Sequence, residues 1–278
     1  MYIALVFAIL LIATYTDLRW REVPDWISYS GILAGIGLHA IQSITEQSVL
    51  PLLHGIGGLT FTSILGVGLF YLGQWGGGDS KALMAMGSLI GLEPRLDSTL
   101  FTFLCYLAIV GGLYGIIWTV GSAAQHWSRV SIALRQRYTR GIMTAQLALI
   151  LLALGITGTA IHLAPTSDIL IASFLLAFLL PLTFFLFTSM RVIEQHCFFK
   201  EIHVRELTEG DWIAHDIIHD GKRLCGPQDL GISTTQIAQV QEAGIQKILI
   251  KTGMPFLPAF LMAFILTTIL GSLLPYLF

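Results

Sequence analysis

The chain has 278 residues, 55% of them hydrophobic and 12% charged, with a formal net charge of −2. Soluble domains carry roughly 45–50% apolar and about 25% charged residues, so this is the composition of a membrane-embedded protein. It excludes a disordered chain, a nucleic-acid-binding domain with a basic stripe and a disulfide-stapled secreted module.

The first element is an apolar segment beginning at Tyr2. No basic region or small-residue cleavage site precedes its first charge, which predicts an uncleaved membrane segment rather than a signal peptide. Apolar runs then recur at 2–16, 26–44, 52–75, 80–92, 100–121, 142–163, 169–189 and 255–277. Most are long enough to cross ~30 Å of hydrocarbon as helices. The predicted fold is an all-α polytopic membrane protein of about eight transmembrane helices, with a small α+β cytosolic domain inserted before the last. Residues 1–190 form the membrane domain of seven spans, 191–254 the soluble domain and 255–278 the final transmembrane helix. Gly31/Gly35, Gly87/Gly91 and Gly111/Gly115 have the spacing of close helix packing in lipid. Between the fifth and sixth runs, Arg129, Arg135, Arg137 and Arg140 alternate with apolar residues, as in an interfacial helix or a positive-inside anchor.

Within the polar block, 202–204, 212–214 and 247–250 read as short strands and Asp220-Gly221 as a turn. Ser233 and Gln236 have capping-box spacing ahead of a helix over 237–243, with Gly244 as its stop. Cys105, Cys197 and Cys225 are too scattered for a disulfide framework or a CxxC metal site and read as free thiols. The histidines lack ligand spacing apart from His215/His219, so neither a metal nor a cofactor is expected.

Charge placement orients the chain. With the N-terminus outside and every run crossing, fourteen of the fifteen Lys and Arg residues fall on the inner side and Arg95 alone outside, as the positive-inside bias requires. The polar block is then cytosolic.

Most acids lie in loops or in the polar block, but Asp17 ends the first run and Asp79 opens the fourth after Gly76-Gly77-Gly78. Helical rise places both near the inner interface at similar depth. Intramembrane acids tend to face water-filled cavities and to act there. Two converging carboxylates can share one proton, the ionised one taking a proton from water while the protonated one polarises a carbonyl. Three glycines before Asp79 would let an extended substrate backbone approach. Taken residue by residue, other roles also fit. Asp79 suits the N-cap of its helix, Asp17 an interfacial partner of Arg19 or Arg21, and Lys81 either a counter-charge for Asp79 or a side chain snorkelling to the interface.

The block Gly76-Gly77-Gly78-Asp79-Ser80-Lys81-Ala82-Leu83, ending in Gly87, resembles the GxGD motif and trailing Lys of the type IV prepilin peptidases. These are membrane aspartic proteases that include archaeal preflagellin peptidases. Asp17-Leu18-Arg19 followed by Glu22-Val23-Pro24 is similar to the family's other element. Residues 204–211 and the return Gly253-Met254-Pro255-Phe256-Leu257-Pro258 resemble the archaeal branch. The resemblance implies that Asp17 and Asp79 are the catalytic pair. It implies cleavage of short, basic class III signal peptides from membrane-anchored pilin- or archaellin-like precursors at the cytosolic face. Gly76, Gly77, Gly78, Lys81, Glu22 and Asp25 are then the expected substrate-binding residues, with Glu22 and Asp25 attracting the basic leader or else pairing with Arg19 and Arg21. Three features depart from the family pattern. The cysteine-pair zinc motif of many bacterial members is missing, Asp25 stands where Asn is usual, and eight spans exceed the six of smaller archaeal members. A proton-coupled transporter and a noncatalytic assembly scaffold are the competing readings. The expected partners are the precursors and the lipid bilayer, with no nucleic acid.

Overall fold

The computed structural model describes residues 2–163 and 167–272. In chain order it forms α1 (Tyr2–Trp20), α2 (Asp25–Thr45), α3 (Leu50–Tyr71), α4 (Gly77–Ile90), α5 (Thr99–Gln125), α6 (Trp127–Arg137), α7 (Arg140–Leu163) and α8 (Ser167–Cys197). The polar block supplies β1 (Phe199–His203), a 3-10 turn over Val204–Glu206, β2 (Trp212–Ile213), β3 (Ile217–His219), β4 (Lys222–Cys225), α9 (Thr234–Glu242) and β5 (Lys247–Lys251). The chain then returns as α10 (Leu257–Leu270).

Each of the eight apolar runs contains a helix, and six of them, α1, α2, α3, α5, α7 and α8, are long and apolar enough to cross a membrane. The other two, α4 and α10, have 14 residues each. Such a helix is about 21 Å long, short of a ~30 Å hydrocarbon core. The last part of the eighth run, 273–277, lies outside the described residues. Of the arginine run, Arg129, Arg135 and Arg137 lie on α6, which is set off from α5 by His126 and from α7 by Tyr138 and Thr139, while Arg140 opens α7.

Two compact units divide the chain: residues 1–118, 202–248 and 252–278 in one, 119–201 and 249–251 in the other. In the first, α4 is the central element. Its Ala82, Leu83, Ala85, Met86 and Leu89 are buried with Val6, Leu10 and Ala13 of α1, Leu100, Phe103 and Leu107 of α5, and Phe260 and Phe264 of α10. A short helix reaches this position because its neighbours offer small residues. A Cβ on Gly87 would collide with Thr62 and the Gly58 carbonyl, and one on Gly35 with Ser88. In lipid, where apolar burial gives no driving force between helices, such backbone approach and interhelical hydrogen bonds hold the bundle together. Ser80 Oγ donates to the Gly66 carbonyl and Ser88 Oγ to that of Ile32, both at 2.9 Å. The glycine pairs expected at helix contacts do meet neighbours. Gly31 faces Ala85, Gly91 faces His39, Gly111 faces Phe256 and Gly115 faces Met254.

In the second unit, α7 and α8 pack as a hairpin joined by polar contacts. Gln146 Nε2 donates to the Pro181 carbonyl at 3.1 Å, and the Tyr138 hydroxyl meets Thr188 Oγ1 at 3.0 Å and Ser189 Oγ at 2.9 Å.

The polar block holds a three-stranded sheet in the order β1-β5-β2 and the antiparallel hairpin β3-β4. Asp220 and Gly221 at the hairpin tip have φ of 50° and 75°, the left-handed pair that a two-residue hairpin turn demands. Both Ser233 capping-box bonds form, Ser233 N–H to Gln236 Oε1 at 2.9 Å and Gln236 N–H to Ser233 Oγ at 3.3 Å. Two expectations shift. The first strand ends at His203, with Val204 opening a 3-10 turn, and the capped helix begins at Thr234 directly after its cap. The hairpin strands were not anticipated, since Lys222 and Arg223 carry charge in a strand of four residues.

Candidate active site

Asp17 lies in the last turn of α1 and is only 6% exposed. Its Oδ2 accepts the backbone N–H of Leu257 at 2.9 Å. Leu257 is the first residue of α10, so its amide has no partner within that helix, and the helix dipole there favours a carboxylate. The same residue is fixed through its carbonyl, which accepts from Thr14 Oγ1 at 3.2 Å. One turn beyond Asp17, Arg21 takes φ of 56°. Its Nη1 donates to the Gly253 carbonyl at 2.7 Å, and its guanidinium lies 5.9 Å from the Trp118 ring centroid. α1 and the residue that follows it thus hold both ends of the segment that leads into α10. Arg21 acts on Asp17 through its charge, but its hydrogen bond goes to the return segment rather than to the carboxylate.

Asp79 is half-buried and sits at the third position of α4. Gly76 is the N-cap, so the expected N-cap role of Asp79 is displaced by three residues. From that position its Oδ2 accepts the Gly76 N–H at 3.2 Å. This is the return half of a capping box, the half that a glycine cap leaves possible. The carboxylates of Asp17 and Asp79 lie near enough for the charge of one to act on the other. Sequence separates them by 62 positions, and the packing of α4 against α1 brings them together.

The remaining candidates fall around this pair in different ways. A Cβ on Gly78 would lie 3.2 Å from that of Val23, so the missing side chain admits the α1–α2 connection. Gly76 uses its amide on Asp79, and the nearest atom to a Cβ on Gly77 would be in the Phe70 ring at 3.9 Å. Lys81 pairs with Asp25 and lies 5.7 Å from the Tyr29 ring centroid, so its ion pair is with Asp25 and not with Asp79. Glu22 is exposed and has no ion pair among the described residues.

Several residues near the pair were not singled out from the sequence. Trp75 packs against Phe256 and Phe260 in tilted geometry, with ring centroids at 5.6 Å in each case. Tyr114 of α5 lies within electrostatic reach of Asp17 and Arg21. Gly73, with φ of 66°, turns the chain ahead of Trp75, and Trp212 of β2 lies 3.6 Å from where its Cβ would be. The only sequence signal for these was adjacency. Trp75 precedes the triple glycine, and Phe256-Leu257 lies in the return that resembled the archaeal branch. No cluster of three or more metal-ligating side chains occurs among the described residues. Chemically the arrangement is two carboxylates, one buried and one partly open, beside an aromatic wall. It can bind and polarise a water molecule.

Comparison with known proteins covers the N-terminal part of this site, including Asp17 and Asp79. Residues 4–116 match the type IV leader peptidase family. The preflagellin peptidase of Methanococcus voltae is 37% identical over 81 residues, which is 29% of this chain and 34% of that protein. That of Methanocaldococcus jannaschii is 36% identical over 93 residues, 34% of this chain and 38% of the relative. That of Methanococcus maripaludis is 34% identical over 95 residues, 34% of this chain and 40% of the relative. The aligned part therefore spans little more than a third of each curated relative. No solved structure gives a significant match.

Proposed function

We propose that this chain, whose residues 4–116 match the type IV leader peptidase family, is a membrane aspartic endopeptidase that removes short basic leaders from pilin- or archaellin-like precursors. The preflagellin peptidases it resembles support the leader-peptide substrate class. The observation that carries the mechanism is the approach of Asp17 and Asp79 within electrostatic reach at one end of the central helix α4.

In this reading one carboxylate is ionised and the other protonated. The ionised one takes a proton from the bound water as its oxygen attacks the scissile carbonyl. The protonated one hydrogen-bonds that carbonyl and stabilises the developing oxyanion. Collapse breaks the C–N bond, and the leaving nitrogen takes a proton from the pair. Gly76, Gly77 and Gly78 shape the approach of the substrate backbone. Glu22, Asp25 and Lys81 lie where the leader passes. All eight apolar helices cross or enter the bilayer, with the N-terminus outside and the polar block cytosolic, as the distribution of Lys and Arg favours. The site then meets the junction between a cytosolic leader and a membrane helix.

The test is cleavage in liposomes of a precursor with a basic leader and a hydrophobic helix, by wild type, Asp17→Asn and Asp79→Asn. Site-specific cleavage by wild type, unaffected by chelator and absent in both folded variants, is the expected result. No cleavage across a panel of precursors, or normal cleavage by both variants, overturns it. Solute or proton movement in the same liposomes would then favour a transporter, and unimpaired assembly with both variants a scaffold.

A further inference from the structure

The second unit carries a charged surface that the proposed peptidase chemistry does not use. From residue 98 to residue 167 the sequence contains no Asp or Glu, and its four cations, Arg129, Arg135, Arg137 and Arg140, all lie on α6 or at the start of α7. One side of α6 faces inward, with Val130 completely buried. The exposed side carries Arg129 and Arg135, which flank Ile132, itself 59% exposed; Trp127 at the head of the helix is 61% exposed. The Tyr138 hydroxyl fastens the end of this segment to Thr188 and Ser189 of α8. Two residues further along α8, Arg191 is exposed and lies 5.0 Å from the Phe187 ring centroid. None of these five arginines is in an ion pair among the described residues.

We propose that α6, with Arg140 and Arg191, is a binding surface for the headgroups of acidic phospholipids. A helix with exposed arginines between apolar side chains lies in the membrane interface, its apolar residues in the acyl boundary and its cations among phosphates. Guanidinium groups match phosphate oxygens in bidentate geometry. The charge also argues against a basic peptide as the occupant of this face. A basic leader peptide is repelled by a surface with five cations, because Glu194, one turn beyond Arg191 on α8, already has Lys251 as its partner. This inference depends on the chain being embedded in a bilayer and not on the peptidase reading, so either can fail alone.

The experiment uses the full chain, purified in neutral detergent and titrated with phosphatidylglycerol or phosphatidylcholine, with retained lipid counted by native mass spectrometry. Wild type is expected to retain phosphatidylglycerol at least about tenfold better than phosphatidylcholine, with the preference falling as salt rises. Each arginine near an anionic surface is worth about fivefold. Arg129→Gln and Arg135→Gln should each lose about that factor, and the combined Gln variant of Arg129, Arg135, Arg137 and Arg140 should lose the preference. The corresponding Lys variant should keep most of it. The single variants decide the matter if the fourfold one does not fold. Equal retention of both lipids by wild type, unchanged preference in the Gln variants, or a preference for a short oligonucleotide over phosphatidylglycerol overturns the proposal.

Discussion

The carboxylate of Asp17 accepts the amide of Leu257 across 240 positions of sequence, so the first helix caps the last one. One side chain therefore has two roles to separate: holding the N-terminus of α10, and the proposed acid–base chemistry with Asp79. The polar block follows α8 and leads into α10, and its return is the piece that Asp17 fixes.

Substitution distinguishes the roles. Asn at position 17 retains an oxygen that can accept the Leu257 N–H, whereas Ala leaves that buried amide without a partner, at a cost of about 1–3 kcal/mol. In thermal unfolding in detergent, Asp17→Asn should stay close to wild type. Asp17→Ala should unfold some ~2–8 °C lower. Cleavage should be absent in both. An Asn variant as unstable as the Ala one would mean that the charge, and not the hydrogen bond, holds α10.

Arg21 should act on the same segment from the other end. Its bond to the Gly253 carbonyl is charge-assisted, a class worth about 1.5–3 kcal/mol, and a φ of 56° at a non-glycine residue stores strain that this contact offsets. Arg21→Ala loses the bond and keeps the strain, while Arg21→Gly loses both. Hydrogen exchange over residues 252–258 should accelerate about tenfold or more in the Ala variant and less in the Gly variant. Equal exchange in wild type and both variants would show that Arg21 does not hold the return.

Much of this architecture could be read in the sequence, and the parts that could not share a cause. Each apolar run contains a helix because a backbone in lipid must satisfy its own hydrogen bonds, and Ser233 and Asp220-Gly221 marked their cap and turn by local chemistry. Local signals also singled out Asp17 and Asp79. What they could not give was the company these residues keep. Leu257 and Trp75 join the site through tertiary packing, Arg21 sends its side chain to the Gly253 carbonyl rather than to the carboxylate beside it, and nothing in residues 253–258 shows which helix will cap α10. β3 and β4 were missed for a related reason. Ile217–His219 and Lys222–Cys225 are too short for a period to register, and they are held as strands by each other and by the network in which Arg223 bonds Asp216 and Asp229.

The central position of α4 rests on absent side chains, which a glycine pair can test. Gly87→Ala places a methyl group against Thr62 and the Gly58 carbonyl, and backbone cannot yield as a flexible side chain would. Overpacking of this kind costs about 1–3 kcal/mol or more. Nothing lies within 4 Å of a Cβ on Gly121, which sits inside α5. Gly121→Ala should therefore be neutral or stabilise by up to about 1 kcal/mol through helix propensity. Unfolding in detergent should rank Gly87→Ala well below wild type and Gly121→Ala at or above it. Equal effects would mean that α4 does not pack as closely as described.

Leader selectivity should divide unequally between Glu22 and Asp25. Both carboxylates stand close to Asp17 in sequence, but Asp25 already has the Lys81 ammonium as its partner. An exposed charge that is already paired has less field to offer a basic leader than one that is not. Glu22→Lys should accordingly lower kcat/KM on a precursor with a Lys- and Arg-rich leader by about two- to fivefold, the scale of an exposed ionic interaction. Removing the pair as a whole, with Asp25→Asn and Lys81→Met together, should do less than that, and Lys81→Met alone, which frees Asp25, should raise the rate on the same precursor. The differences should shrink as ionic strength shortens the screening length. A neutral leader provides the control: its rate should be insensitive to all three changes. Equal losses on neutral and basic leaders would assign Glu22 and Asp25 to the structure of the α1–α2 connection, and leader charge would have to be read elsewhere.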